Sequence, residues 1–420
     1  MINDKSKSYN LISSILLIVF CYILFENYFV VSMKTNGLDK LYYSFSLFKL
    51  VFLYGTFLIL LLSGILKASF EIRTKTFFVI LYIGILIYIG YFVKGNGTMV
   101  MLSIQNMYFW IFLLSLLYVL PGKPHTQFFK TLMPVMVVCL LIHFIYSLWI
   151  QTLFNGDYNL FYFYELYSNL EMFGSWNHLK DGDVRAYGFF GSSTGLSQVL
   201  LIPICYLIAC CMLKKKSKIL YFLFFIIFIY FLFITRIRNP ALSLCFVVLL
   251  LSLLKLLKIS SFRSIITVFV FLFIFSFAIA PLSDLLGIGD LSSQARTPML
   301  LSFIDNITAN PIGYGIGSTG NLKAYQFFYE SSFATIVNDL GFFYSIPLFS
   351  FLLILIASFY RVYLYGTPTH KLIGLTGFLS LSSLFFLMNY SNIFDFTLNI
   401  YIIFLYSCFS VFKIDKVRLQ

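Results

Sequence analysis

Apolar runs of roughly 18 to 25 residues recur along the whole of this chain, the length at which a helix crosses the hydrocarbon core of a bilayer. Lipid offers no partner to a backbone N–H or C=O, so only helices or closed barrels can span it. A barrel would show apolar and polar residues alternating in runs of about ten, and that alternation is absent. The 420 residues are 60% hydrophobic and 11% charged, with a mean hydropathy of +0.92. A soluble core of that length cannot hide so much apolar surface. The expected fold class is therefore an all-α polytopic membrane protein, a single integral membrane domain over residues 1–420.

Hydropathy places about twelve spans. Their centres lie near Val19, Thr56, Gly84, Ser115, Leu140, Leu200, Phe225, Phe246, Phe269, Ser350, Ser380 and Ile402. Basic residues occupy every second connection. Lys5 and Lys7 precede the first span, Arg73 and Lys75 follow the second, and Lys123 and Lys130 follow the fourth. Lys214, Lys215, Lys216 and Lys218 follow the sixth, and Lys255, Lys258 and Arg263 the eighth. Arg361 and Lys371 follow the tenth, and Lys413, Lys416 and Arg418 close the chain. The positive-inside rule puts these connections and both termini in the cytoplasm. Much of the net charge of +13 is this topological signal. No basic domain stands outside the membrane, so nucleic acid is not an expected partner.

The first apolar run is followed by Phe25-Glu26-Asn27-Tyr28 rather than a small-residue cleavage site, and reads as a retained signal anchor. The seven cysteines all fall inside predicted spans, which implies buried filler and no disulfide framework. His125, His143, His178 and His370 show no ligand spacing, so no metal site is expected. Phosphate-loop and dinucleotide fingerprints are missing, and no cofactor is expected.

Two long polar stretches, about 155–187 and about 282–331, interrupt the membrane pattern, both on the outer side. Each is far longer than a helix–helix connection requires. Residues 158–176 are rich in Phe and Tyr with Glu165 and Glu171 among them. Such a stretch either lies in the interface as an amphipathic helix or stacks sugar rings. Asp181, Asp183 and Arg185-Ala-Tyr-Gly-Phe-Phe-Gly-Ser-Ser follow. An arginine at that depth either snorkels to lipid phosphates or grips a pyrophosphate with its planar fork. The turn Thr235-Arg236-Ile237-Arg238-Asn239-Pro240 sets two arginines on the side where positive charge is scarce. An anionic ligand at the outer face explains them better than a pair of lipid anchors.

The second outer loop opens with Asp284 and Asp290. Met299, Leu300, Phe303, Ile304 and Ile307 then follow helical spacing within 294–309, with Arg296 in the first turn. Asn310-Pro311 should end that helix. Ile312-Gly-Tyr-Gly-Ile-Gly comes next. Gly313 and Gly315 permit either an anion-binding nest of N–H groups or a plain flexible loop. Tyr329-Glu330-Ser331-Ser332 starts the tenth span, and Asp339 lies about two helical turns further in. A carboxylate inside a span is costly and usually functional. Glu330 is either a helix N-terminal carboxylate favoured by the macrodipole or a general base at the membrane surface.

The order of these motifs resembles the O-antigen polymerase (Wzy) and O-antigen ligase superfamily. The resemblance runs from Arg185 to Gly341 and rests on the arginine–aromatic–glycine stretch, the Thr-Arg-x-Arg turn, the arginine-bearing outer helix, Asn-Pro-Ile-Gly-Tyr-Gly-Ile-Gly, Glu-Ser-Ser and Asp-Leu-Gly. Ligases of this superfamily carry a His-Asn pair where this chain has Glu330-Ser331, a departure that favours polymerase. The resemblance implies a GT-C-like fold and metal-independent glycosyl transfer at the outer face of the cytoplasmic (inner) membrane. A glycan on an undecaprenyl diphosphate carrier would be joined to the non-reducing end of a new lipid-linked repeat unit. Donor and acceptor glycolipids, membrane lipid, a chain-length regulator and a flippase are the implied partners. Glu330 and Arg296 would be catalytic, Arg185, Arg236 and Arg238 would bind the diphosphate, and Asp339, Asp183, Gly313 and Gly315 are weaker candidates. An O-antigen ligase and a lipid-linked oligosaccharide flippase are the alternatives. The long outer loops with clustered arginines argue against a flippase.

Overall fold

The computed structural model describes residues 13–26, 126–154, 179–180, 183–190, 192–214, 217–285, 291–316, 318–319, 329, 331–389, 391 and 396–408. These residues are helical except for one short hairpin and the connecting turns. The helices are α1 (Ser13–Glu26), α2 (Thr126–Phe154), α3 (Ser193–Leu213), α4 (Lys218–Ile234), α5 (Arg238–Leu256) and α6 (Phe262–Leu285). They continue with α7 (Leu291–Ala309), α8 (Ser332–Tyr365), α9 (Pro368–Leu387) and α10 (Phe396–Cys408). The strands are β1 (Leu179–Lys180) and β2 (Asp183–Val184), antiparallel with Leu179 opposite Val184 and Lys180 opposite Asp183.

Helices cover the expected centres at Val19, Leu140, Leu200, Phe225, Phe246, Phe269, Ser350, Ser380 and Ile402. The centres at Thr56, Gly84 and Ser115 and the aromatic stretch 158–176 lie outside the described residues. Among the described residues, five helices (α2, α3, α5, α8 and α9) are long and apolar enough to cross a membrane. Several apolar helices of this kind make a multi-pass, membrane-embedded α-helical protein. The exposed side of α4 agrees, because Ile219, Phe222, Leu223, Ile226 and Phe233 face outward from the protein. Water would not tolerate such a face; acyl chains would.

The chain divides into two units, with boundaries inside α5 and α10. In the first unit α3 is the central helix, with 78% of its spanning window buried. It packs against α4, which follows it in the chain, and also contacts α2. Ser192 caps α3 by accepting a hydrogen bond from the Gly195 N–H at 3.2 Å. Lys214 closes its other end, donating from Nζ to the Tyr221 hydroxyl at 2.7 Å. Phe144 of α2 meets Phe231 of α4 at 5.2 Å, and Tyr401 of α10 donates to the Gln198 carbonyl at 3.3 Å.

In the second unit α8 and α9 form an antiparallel pair. Gly374 and Gly377 let the helices approach closely, since a Cβ on Gly374 would lie 2.7 Å from the Tyr363 nitrogen. The start of α8 hooks onto the end of α9. Ser331 caps α8 by accepting from the Ala334 N–H at 3.2 Å, and its hydroxyl donates to the Met388 carbonyl at 2.9 Å. Ser332 donates from its hydroxyl to the Ser391 carbonyl at 3.1 Å. Ser243 of α5 donates to the Ser383 carbonyl, and Phe246 stacks on Phe386 at 5.2 Å.

α7 ends at Ala309, where Asn310-Pro311 should stop it. It begins at Leu291, earlier than its apolar pattern suggests, so Arg296 sits in the second turn rather than the first. Ser292 and Ser293 extend the helix backwards without adding an apolar signal.

α8 is broken. Its 34 residues would reach about 51 Å at 1.5 Å per residue, well beyond a hydrocarbon core of roughly 30 Å. Gly341 has φ of 76°, left-handed and non-helical, and divides the element into a short segment, 332–340, and a membrane-length segment, 342–365. The Pro311–Gly315 loop docks into the break. Tyr314 N–H donates to the Asn338 carbonyl and Gly315 N–H to the Asp339 carbonyl, both at 2.9 Å. Phe342 N–H, on the far side of the break, donates to the Pro311 carbonyl at 2.9 Å. A Cβ on Gly341 would lie 2.2 Å from the Ile312 carbonyl carbon, and one on Gly313 would lie 2.3 Å from the Gly341 nitrogen. Gly341→Ala is expected to cost about 3 kcal/mol or more, through both strain and backbone overlap. Thermal unfolding of the purified protein should show a clearly lowered transition, whereas Ser358→Ala in the same helix should leave it nearly unchanged.

Candidate functional site

In the first unit, the segment after β2 is pinned at three points. Ala186 N–H donates to the Ile234 carbonyl at 3.0 Å, at the end of α4. Gly188 N–H donates to the Ser147 hydroxyl and Phe189 N–H to His143 Nδ1, each at 3.1 Å. His143 and Ser147 are one turn apart on α2, so they present two acceptors on one face. Gly188 has φ of 53°, and a Cβ there would lie 2.6 Å from His143 Nδ1. The chain must therefore be glycine at its closest approach to the helix. The Phe189 ring stacks on Tyr146 at 4.0 Å and tilts against Phe25 of α1 at 5.3 Å.

These contacts settle where the arginines stand. Arg185 immediately precedes the residue bonded to Ile234, and Arg236 follows Ile234 by two. The two arginine-bearing backbones are thus hydrogen-bonded neighbours. Thr235, next to Arg236 in the chain, is fully buried, and Arg236 has a left-handed φ of 55°. That conformation is uncommon for a non-glycine residue. It turns the chain so that α5 can begin at Arg238, which is exposed, while Arg185 and Arg236 are half-buried. Asp183 lies in β2, paired with Lys180. The C-terminal ends of α1, α2 and α4 and the N-terminal end of α3 gather here. Lys130, Lys214 and Lys218 lie toward the opposite ends of α2, α3 and α4.

In the second unit the docked loop carries a polar network. Ser318 donates to Asp339 Oδ1 at 2.5 Å, and Asn338 Nδ2 donates to Thr319 Oγ1 at 3.0 Å. Asn306 Nδ2 of α7 donates to the Tyr329 hydroxyl at 2.6 Å, and Asn310 Nδ2 donates to the Gly313 carbonyl at 2.9 Å. Ser318, Thr319, Asn338 and Asp339 are all buried. Burial raises the pKa of the Tyr329 phenol, keeping it neutral and able to donate.

This geometry changes the reading of three weaker candidates, Gly313, Gly315 and Asp339. The N–H groups of Gly313, Tyr314 and Gly315 donate to the Asn310, Asn338 and Asp339 carbonyls. They point into the protein, so they do not form the anion nest that the glycine spacing allows. Broken helix geometry explains this: carbonyls near Gly341 lose their helical donors and need replacements. Asp339 likewise anchors the loop through Ser318, rather than standing alone inside a span.

The structure thus brings Arg185 together with Arg236 and Arg238 in one unit, and Gly313 and Gly315 together with Asp339 in the other. Arg296 lies on α7. Glu330 lies outside the described residues; its neighbours are Tyr329, which is buried, and Ser331, the cap of α8. Sequence reasoning missed His143, Ser147, Asn306, Ser318, Thr319 and Asn338 as organising residues. The i, i+4 spacing of His143 and Ser147 on an otherwise apolar helix was the available signal. Among the described residues, no group of three or more His, Cys, Asp or Glu gathers at metal-ligand distance. Comparison with known proteins returns nothing: no family model, curated protein or solved structure matches the chain.

If Asp339 is an anchor, Asp339→Asn should keep the acceptor for Ser318 and retain stability. Asp339→Leu should destabilise by about 1–3 kcal/mol, by leaving buried groups unpaired. Thermal unfolding of the two variants beside Ser318→Ala tests this; equal stability of Asp339→Leu and wild type would rule the anchor out.

Proposed function

We propose that this protein is a polysaccharide polymerase of the O-antigen polymerase (Wzy) type. It would transfer an undecaprenyl-diphosphate-linked glycan onto the non-reducing end of a new lipid-linked repeat unit, at the outer face of the inner membrane. About twelve spans and a GT-C-like arrangement belong to this reading. The observation that carries it is the Ala186–Ile234 hydrogen bond, which sets Arg185 beside the Arg236 turn. Two guanidinium groups held on adjacent, rigid backbone suit a diphosphate, because planar forks match its oxygens and need not reorganise as charge develops.

In the reaction, the bond between the donor sugar and the diphosphate breaks as the acceptor hydroxyl attacks the anomeric carbon. The electron pair leaves with the lipid diphosphate, whose developing charge Arg185, Arg236 and Arg238 stabilise. By the order of motifs alone, Arg296 is the candidate for a further positive charge. The hydroxyl proton passes to a carboxylate, for which Glu330 is the choice because it stands in the matching motif at the start of the tenth span. The arginines provide the charge stabilisation that a metal ion would otherwise supply. A chain-length regulator and a flippase would act alongside.

The test is the surface glycolipid profile of a strain lacking the protein. A polymer ladder collapsing to core plus a single repeat unit is the expected result. Core alone with long polymer on the undecaprenyl carrier would make it a ligase instead, and core alone with repeat units trapped inside would make it a flippase. On complementation, Arg236→Ala and Glu330→Gln should each reduce polymer formation on the order of 10²-fold at normal expression. Arg236→Lys should recover part of the loss, since charge remains but the fork does not.

A further inference from the structure

We propose that His143 and Ser147 are positioning residues that set Arg185 against Arg236 for diphosphate binding; this rests on the polymerase reading above. Neither side chain belongs to an outer loop. Both stand on α2 and accept the N–H groups of Phe189 and Gly188 at 3.1 Å. The third tie, Ala186 N–H to the Ile234 carbonyl at 3.0 Å, fastens the same segment to the α4 end. Residues 186–189 therefore bridge α2 and α4, with Arg185 at one end of the bridge and Arg236 just beyond its anchor.

Stability alone does not account for a histidine here. The ring is completely buried, among Phe25, Phe189 and Phe190 at centroid distances of 4.9 to 5.2 Å. Because Nδ1 accepts an N–H, the proton of the neutral ring is on Nε2. Nε2 is buried with no hydrogen-bond partner, an arrangement that costs stability. A leucine would avoid that cost but would remove the acceptor that holds Phe189. Gly188 confirms how closely the segment is seated, since its missing Cβ is the space that His143 occupies. What the histidine secures is the placement of the chain, and with it the spacing of two guanidinium groups. Small displacements of a binding group lose large factors in rate or affinity.

The experiment measures binding of undecaprenyl diphosphate, with undecaprenyl monophosphate as the control, to the full chain in lipid nanodiscs by native mass spectrometry. Arg185→Ala and Arg236→Ala should each weaken diphosphate binding about tenfold. His143→Leu should weaken it by a similar factor. His143→Asn, whose Oδ1 stands near the place of Nδ1, should restore most of it. The double variant His143→Leu/Arg185→Ala should bind no worse than Arg185→Ala alone, because one acts through the other. Additive losses, or normal binding by His143→Leu while the arginine variants fail, would overturn the positioning role and leave the polymerase reading intact. Equal binding by wild type and both arginine variants would sink the diphosphate site itself and the positioning role with it. If His143→Leu does not fold, Ser147→Ala carries the same comparison.

Discussion

The fold of the second unit depends on the closing of a helix break. Gly341 takes a left-handed conformation and separates a short helical segment from a spanning one. Inside a membrane protein, the carbonyls and N–H groups released by such a break have no water to turn to, and each unpaired one costs stability. The Pro311–Gly315 loop supplies the partners in both directions, donating to Asn338 and Asp339 and accepting from Phe342. The two backbones can come this close only because Gly313 and Gly341 face each other without side chains. Ser318 on Asp339 and Asn338 on Thr319 then extend the repair from backbone to side chains. Gly313 and Gly315 are buried where the loop meets the break, while Pro311 and Ile312 remain exposed at its rim.

The first unit uses the same economy for a different end. A short segment is fastened to two helices through three N–H groups, and arginines lie at both margins of the attachment. Long side chains on a loose loop would lose much conformational entropy on gripping an anion. Side chains on a pinned backbone have less to lose, which is the advantage of preorganisation. The pinning falls on Gly188, one residue type that can both adopt φ of 53° and lie against His143.

Legibility from sequence varied with range. The end of α7 at Asn310-Pro311 was readable because the proline constraint acts on the adjacent residue. Its start was not, because Ser292 and Ser293 carry no periodic apolar signal. The arginine turn was visible as two charges standing between apolar runs. The glycine loop was visible too, but its use was not: spacing alone cannot say whether N–H groups face an anion or a broken helix. His143 carries no ligand-spacing signal in the sequence, whereas in the structure it accepts a backbone N–H from 46 residues away.

By itself the sequence determined that this is a helical, multi-pass membrane protein, where most of its helices run, and which connections carry positive charge. Those properties follow from transfer energies and charges summed over single segments, each of which settles its own balance with lipid. Only the tertiary structure decided that Gly313 meets Gly341, that Ser318 anchors Asp339, and that Arg185 is carried to Arg236. Each of these joins segments far apart in the chain through one hydrogen bond or one close approach. A donor or acceptor looks the same in the sequence whichever partner it finds, so its partner is fixed only when the helices have packed.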